Sequence, residues 1–179
     1  MIKVRIGIDL GKKGAIAIYH DDILQEPVVM PVVNKTEYDI HFIANELLKY
    51  TDTDQYDVHI VTEDIHAIYG SSAGGTFDFG RGLGIFEGII CAYGLPYTKV
   101  MPKKWQKDAF EGVSEIRKPA SVKQQAVGRR GDIDTKAMAL VAIKRLFPNL
   151  KLTFGTRAHV PHDGLVDAVH LARYCKLNF

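Results

Sequence analysis

The sequence Gly7-Ile8-Asp9-Leu10-Gly11 stands at the end of the first apolar run in the chain. From Ile2 to Ile8 apolar and polar residues alternate, a period that is typical of a strand with one buried face. Asp9 follows at the point where this strand should meet its turn. A buried carboxylate without a partner is costly, so its pKa shifts or it pairs with another group. Asp9 therefore requires partners elsewhere in the chain.

Length and composition indicate a soluble globular protein. The 179 residues suffice for one full hydrophobic core, so we expect a single domain over residues 1–179. An apolar content of 46% and a charged content of 25% are ordinary for this class. No apolar run approaches the roughly 20 residues of a membrane helix, and the N-terminal pattern is not that of a signal peptide. Cys91 and Cys175 lie in no motif and are interpreted as reduced core residues, which together predicts a cytoplasmic protein without membrane contact.

The charge is unevenly distributed along the chain. Residues 99–157 contain 14 Lys or Arg and 5 Asp or Glu, a net charge of +9. The remainder contains 9 Lys or Arg and 16 Asp or Glu, a net charge of −7. A basic block beside an acidic remainder is typical of a polyanion footprint next to a metal-binding centre, although solvated helix faces can produce the same pattern.

Turn residues and apolar periodicity predict three antiparallel strands first, followed by helices and strands. The predicted strands cover residues 2–9, 14–20, 23–30, 58–63 and 97–101. The predicted helices cover residues 36–50 with Thr36 as N-cap, 77–93, 102–110, a segment from about 119, 135–147 with Asp134 as N-cap, and 163–176. Residues 67–75 have the composition of a flexible loop.

Three glycines of the predicted 77–93 helix share one face, because Gly80, Gly84 and Gly88 lie four residues apart. A face without side chains lets another backbone come close. We expect the sheet of the same subunit to cover part of this face. A symmetry mate across a dimer interface is the second hypothesis.

Four acidic residues stand at the ends of predicted elements. Asp9 and Glu63 each end a strand, whereas Asp163 and Asp167 are four residues apart at the start of the last helix and point the same way. Each alone has an ordinary explanation as a capping or turn residue. Together they supply the oxygen ligands that hard divalent cations such as Mg²⁺ prefer, and a bound cation would offset the repulsion within the helix pair.

These segments resemble the RuvC-type Holliday junction resolvases, most closely their phage-encoded branch. The similarity lies in the strand ending Gly7-Ile8-Asp9-Leu10-Gly11, the strand ending Val61-Thr62-Glu63-Asp64 and the helix start His162-Asp163-Gly164-Leu165-Val166-Asp167-Ala168. It continues in Thr76-Phe77-Asp78-Phe79-Gly80-Arg81, Met101-Pro102-Lys103-Lys104-Trp105-Gln106-Lys107 and Lys144-Arg145-Leu146-Phe147-Pro148. The acidic set is shared with the wider ribonuclease H-like superfamily.

The resemblance implies an α/β, ribonuclease H-like fold: a central mixed five-stranded sheet, three antiparallel strands first, with helices on both faces. It implies a homodimer that binds a four-way DNA junction and nicks two opposed strands. The four acids would be catalytic ligands of two Mg²⁺ ions, for which Mn²⁺ is an expected substitute, and the ions would straddle the scissile phosphate about 4 Å apart. Asp9 is the expected bridging ligand. In some cellular members the last two ligands are three residues apart. Here the two aspartates are four residues apart, and Gly164 is the residue three positions before Asp167.

The same resemblance places basic residues near the scissile phosphate, and Lys107 and Lys136 are the candidates for that role. Phosphate contacts from the basic block would make binding strongly salt-dependent. The DNA-binding candidates are Tyr69, Arg81, Lys103, Lys104, Lys107, Lys118, Lys123, Arg129, Arg130 and Lys136. Tyr69 is either an aromatic that stacks on an unpaired base or a surface tyrosine in a glycine-rich loop. Trp105 is interpreted as a packing residue.

Three other functions fit parts of the pattern. A ribonuclease H-like nuclease acting on an RNA·DNA hybrid, precursor RNA or other branched DNA would use the same four acids. A fragment of a sugar-kinase or actin-like ATPase would explain Asp9-Leu10-Gly11-Lys12-Lys13-Gly14-Ala15 as a phosphate loop, but no second phosphate loop is found. A non-catalytic DNA-binding accessory protein has no need for the unfavourable pair Asp163 and Asp167.

Overall fold

The computed structural model describes residues 1–64, 72–155 and 158–179. The strands are β1 (Ile2–Asp9), β2 (Ala15–His20), β3 (Ile23–Leu24), β4 (Val28–Val29), β5 (Val32–Val33), β6 (Glu37–Tyr38), β7 (Tyr56–Glu63) and β8 (Tyr97–Val100). The helices are α1 (Ile40–Leu48), α2 (Ala73–Ala92), α3 (Pro102–Ala109), α4 (Val122–Ala126), α5 (Thr135–Leu146) and α6 (Asp163–Asn178).

The central sheet is mixed and has the order β3-β2-β1-β7-β8, with β4 also paired to β2. The β1–β2 pair is antiparallel, whereas β1–β7 and β7–β8 are parallel. The predicted third strand, 23–30, is wrong as one element: it consists of β3 and β4, so the sheet has six strands and not five. Pro27 lies between the two pieces, and proline cannot donate a ladder hydrogen bond.

Helices cover both faces of the sheet, which confirms the predicted fold class. On one face the alternate residues Val4, Ile6 and Ile8 of β1 pack into a core with residues from α1 and α2. On the other face α6 and α5 pack on β2, and α3 joins α6 beside β7. Since strand side chains alternate between faces, Gly7 and Asp9 point toward α6.

Gly7 lets α6 lie directly on β1. A Cβ at Gly7 would lie 2.1 Å from the backbone N of Ala172 and 2.4 Å from the carbonyl O of Ala168. No side chain fits in that space. The glycine therefore sets how closely the last helix approaches the first strand.

Several predicted helix starts are wrong by three or four residues. Helix α1 begins after Asp39, whose side chain caps Phe42, and not after Thr36, because residues 32–38 form the β5–β6 hairpin. Helix α2 begins at Ala73 with Ser72 as N-cap, so residues 73–75 of the predicted loop are helical. The short helix α4 is capped by Ser121 and starts three residues after Pro119.

The glycine face of α2 is not covered by the sheet, so that expectation is wrong. A Cβ at Gly80, Gly84 or Gly88 would meet no atom within 4 Å. The glycine that contacts the rest of the fold is Gly82, where a Cβ would lie 2.4 Å from Tyr38 Oη. The inward face of α2 contains Gly82, Phe86 and Ile90, which is offset by two residues from the face of Gly80, Gly84 and Gly88.

The two cysteines lie in different environments. Cys175 is buried in the core, as predicted, whereas Cys91 is exposed, so its interpretation as a core residue is wrong. Within the described ranges, no helix has the length and apolar character to cross a membrane.

Candidate active site

The fold brings Asp9 and Glu63 to the same edge of the sheet. They are the last residues of β1 and β7, two parallel neighbours in which Ile8 pairs with Thr62. The next residue of each strand is therefore the acid, and the two acids leave the sheet side by side. Asp9 and Glu63 are 54 residues apart in sequence, so the pairing of β1 with β7 accounts for their proximity.

Asp163 and Asp167 reach this edge from the start of α6. A Cβ at Gly164 would lie 2.3 Å from the carbonyl O of Lys13, and one at Gly14 would lie 2.0 Å from the carbonyl O of Asp9. Gly164 lets the first turn of α6 pack against the turn after β1, and Gly14 lets that turn close tightly on Asp9. The sequence contained this signal as Gly14 and Gly164, but its meaning depends on a contact between segments about 150 residues apart.

The acids share one electrostatic environment. Burial, followed by the charge of Glu63, raises the pKa of Asp9 to about 7. Burial, followed by the charges of Asp9 and Asp163, raises the pKa of Asp167 to about 7. Burial also raises the pKa of Glu63, which feels the charge of Asp167 as well. A cation bound among these carboxylates would relieve both the desolvation and the repulsion.

Lys136 supplies positive charge to the group. Its ammonium forms an ion pair with Asp163, and the hydrogen bond from Lys136 to Asp163 raises the pKa of the lysine. Its charge also lowers the pKa values of Asp9 and Asp167. Asp134 caps α5 by accepting a hydrogen bond from the backbone N–H of Ala137, which fixes the first turn that carries Lys136.

Lys107 is placed differently from Lys136. It is exposed on α3, and in residues 1–64, 72–155 and 158–179 it forms no hydrogen bond or ion pair with the four acids. The residue of α3 that reaches them is Trp105, whose indole Nε1–H donates to Glu63 Oε1 at 2.8 Å. Trp105 is buried, as a packing residue should be, but its hydrogen bond to an acid was not predicted.

The donor set suits a divalent cation in its chemistry. Four carboxylates supply hard oxygen ligands, and burial, followed by the charges of the neighbouring acids, raises the pKa values of Asp9 and Asp167. Among the described residues, however, no three Asp, Glu, His or Cys side chains are already grouped as ligands of one ion. The ion pair with Lys136 restrains the carboxylate of Asp163. Side chains of the four acids must therefore rotate before they can bind one ion together.

Most predicted DNA-binding residues are exposed on two segments. Lys103, Lys104 and Lys107 lie on α3, and Lys118, Lys123, Arg129 and Arg130 lie between residues 117 and 133. This second segment is closed by the bridge between Arg117 and Ile133 and leads directly into α5, where Lys136 is the second residue. Arg81 forms an ion pair with Glu37, so part of its charge is neutralised within the chain. Tyr69 lies outside the described residues.

The sheet order, the helices on both faces and the acids at the strand ends define a RuvC-like, ribonuclease H-like fold. The chain is similar to the RuvC structure of Thermus thermophilus, with 16% identity, a TM-score of 0.54, and coverage of 99% of this chain and 96% of that chain. It is also similar to T. thermophilus RuvC in complex with Holliday junction substrate, with 15% identity, a TM-score of 0.50, and coverage of 98% and 96%. The chain matches no protein-family model and no curated protein sequence.

The elevated pKa values predict how pH couples to metal binding. Asp9 and Asp167 titrate near 7 in the folded chain and near 3.8 when unfolded, so the stability they provide below pH 4 is lost as the pH rises through 7. Divalent cations compete with those protons. We therefore expect Mg²⁺ to raise the melting temperature more at about pH 8 than at about pH 5.5, measured by scanning fluorimetry. An equal increase at both pH values would contradict this coupling, and the double variant Asp9→Asn/Asp167→Asn should abolish the difference.

Proposed function

We propose that this chain is a metal-dependent, structure-selective endonuclease that resolves four-way DNA junctions by paired symmetric nicks. The observation that carries the proposal is the meeting of Asp9, Glu63, Asp163 and Asp167 at one end of a RuvC-like sheet, beside Lys136. The choice of substrate is supported by the sequence resemblance and by the fold shared with a RuvC solved in complex with Holliday junction substrate. Such an activity belongs to DNA recombination, DNA repair or phage DNA processing.

The four carboxylates would hold Mg²⁺ or Mn²⁺. When bound, these ions supply Lewis acidity, which lowers the pKa of an attacking water and stabilises charge on a leaving oxygen. The chain's own contribution is orientation: two strand ends and one helix start hold the ligands at fixed separations along the backbone. Lys136 is exposed beside Asp163, where its ammonium can neutralise a phosphate oxygen.

The experiment that tests the proposal offers the protein a four-way junction, an RNA·DNA hybrid and a flap, each with Mg²⁺. Paired symmetric nicks in the junction are the expected result. Cleavage of the hybrid alone would favour the ribonuclease H alternative. Junction binding without cleavage, in a protein that binds Mg²⁺, would favour a non-catalytic DNA-binding accessory protein.

Charge reversal should locate the DNA-binding surface. In the double variant Arg129→Glu/Arg130→Glu we expect junction affinity to fall by roughly tenfold or more at low salt, with a shallower salt dependence, because phosphate contacts release counterions. The control is Lys3→Glu/Lys49→Glu: both lysines are exposed, Lys3 lies at the start of β1, and Lys49 precedes Tyr50, which contacts His20 at the same end of the sheet. Gel-shift titration measures both effects, and equal affinities for the two double variants would remove Arg129 and Arg130 from the surface. The loss of the surface ion pair between Lys49 and Glu46 should have little effect on stability.

A homodimer is part of the proposal, because two opposed strands must be cut. The exposed face of Gly80, Gly84 and Gly88 is the candidate contact. Gly84→Leu should shift a dimer toward monomer in sedimentation and convert paired nicks into single ones. The control is Lys144→Leu, which adds the same side chain to the exposed face of α5. A dimer unchanged by Gly84→Leu would place the contact elsewhere.

We further propose membership of the phage-encoded branch, a single domain and a cytoplasmic location, which is the host cytoplasm for a phage protein. The first is supported by the sequence resemblance alone. The other two are supported by the chain length and the composition.

A further inference from the structure

The indole of Trp105 joins α3 to an acid of the candidate metal centre. Trp105 lies in the first half of α3, which starts at Pro102 directly after β8. Its side chain is 3% exposed, and its Nε1–H donates to Glu63 Oε1 at 2.8 Å. An indole N–H can only donate, so this contact selects a carboxylate oxygen as its partner.

The ring that makes this hydrogen bond is held from two sides. Phe110 meets it edge to face with the ring centroids 6.4 Å apart. His170 of α6 stacks on it at 5.5 Å with an interplanar angle of 24°. The His170 ring contacts the carbonyl O of Ala139 in α5 through Nε2 at 2.9 Å and is itself 2% exposed. Residues from α3, α5 and α6 thus determine where the indole N–H points.

Glu63 needs such a support more than the other acids do. Aspartates have a short side chain, whereas glutamate has one more rotatable bond and loses more rotamer freedom when it is ordered. Among the hydrogen bonds of the described residues, the bond from Trp105 is the one that restrains the Glu63 carboxylate. It engages one oxygen and leaves the second available.

We propose that Trp105 is a positioning residue that orients Glu63 for a divalent cation. The inference rests on the proposed function, since it assigns Glu63 to a metal centre. The indole holds Oε1, so the carboxylate meets the ion in one orientation without a further entropic cost. Partners of metal ligands typically contribute 10- to 100-fold to metal affinity. Trp105 thereby does more than fill the space between α3 and α6.

Trp105→Phe removes the N–H and keeps an apolar ring in the same space. We expect the variant to bind Mn²⁺ about 10-fold more weakly by calorimetry, because Glu63 loses its donor. The smaller ring leaves part of the buried indole space empty, so the melting temperature in EDTA should fall, as it should in a variant that changes only the packing. Junction affinity in EDTA should be unchanged, and cleavage should recover as Mn²⁺ is raised. The control is Phe110→Leu, which disturbs the packing of the indole but leaves its donor. Mn²⁺ affinity within twofold of wild type in Trp105→Phe would overturn the proposal.

A second measurement needs no variant that alters Trp105. The chain contains a single tryptophan, so its ¹⁵N spectrum has one indole N–H resonance. We expect this resonance to shift on titration with Mg²⁺ and to saturate at the Mg²⁺ concentration that saturates the calorimetric signal. In Glu63→Gln the Mg²⁺-dependent shift should be lost, because the amide is a poor ligand. A resonance that does not move while wild type binds Mg²⁺ would overturn the role of Trp105 and leave the proposed nuclease intact. Absence of Mg²⁺ and Mn²⁺ binding in wild type would overturn both.

Discussion

Asp9→Asn should abolish junction cleavage and leave junction binding in a calcium or metal-free buffer intact. The amide has nearly the shape of the carboxylate, and its oxygen can still accept the backbone hydrogen bond from Gly11. It cannot supply the negative charge that a ligand shared between two cations requires. We expect a loss of activity larger than the roughly 100-fold seen when only the partner of a metal ligand is removed.

The same substitution should stabilise the protein in EDTA. Burial and the charge of Glu63 raise the pKa of Asp9 to about 7, so its ionised form is unfavourable in the fold above that pH. A neutral amide avoids this penalty, and the melting temperature at about pH 8 should rise by a few degrees. Asp108→Asn on α3 is the control, because it neutralises a carboxylate outside the four acids. An active Asp9→Asn enzyme would end the proposed mechanism.

Gly7→Val should displace the last helix from the first strand. The new Cβ would lie 2.1 Å from the backbone of Ala172, and backbone atoms cannot move aside as the end of a flexible side chain can. We expect a loss of more than about 3 kcal/mol in the free energy of unfolding, beyond the usual cost of overpacking. Because α6 carries Asp163 and Asp167, cation binding should be lost at the same time.

Gly11→Ala is the matched control for Gly7→Val. Both glycines flank Asp9 in the same short motif, but a Cβ at Gly11 would have its nearest neighbours at 3.9 Å, an ordinary contact. Urea unfolding should therefore show little change for Gly11→Ala. A Gly7→Val variant with wild-type stability would contradict the close packing of α6 on β1.

Much of the fold follows from local patterns. The alternation in residues 2–8 and the apolar run that ends at Glu63 predict two strands, and the structure contains both as β1 and β7. The cap at Asp134 marks the start of α5, because its short polar side chain accepts a hydrogen bond from a free backbone N–H there. The start of α6 was predicted at Asp163, and the helix begins there although no side chain caps it. Boundaries were less accurate where two local signals compete: Thr36 is a plausible N-cap, but the β5–β6 hairpin occupies that segment and Asp39 caps the helix.

The sequence singles out the four acids, whereas the contacts that support them are visible only in the structure. Asp9 and Glu63 end strands of strong periodicity, so their proximity follows once the two strands are parallel neighbours. Asp163 and Asp167 lie in the first turns of α6, and the packing of that helix against the turn after β1 brings them to the same edge. The hydrogen bond from Trp105 to Glu63 spans 42 residues, and the ion pair from Lys136 to Asp163 spans 27. Neither separation corresponds to a helix or strand period, so no sequence pattern predicts these two contacts.

The glycines show most directly where local information ends. The sequence by itself determined that Gly80, Gly84 and Gly88 share a helical face and that Gly7 and Gly11 flank Asp9, because helix and strand periods are properties of the local backbone. Only the tertiary structure decided that Gly82, and none of those three glycines, contacts Tyr38, and that Gly7 rather than Gly11 contacts α6. The reason is that the contacts of a glycine depend on which distant segment packs on its face of the helix or strand. The packing of the whole core determines which segment that is.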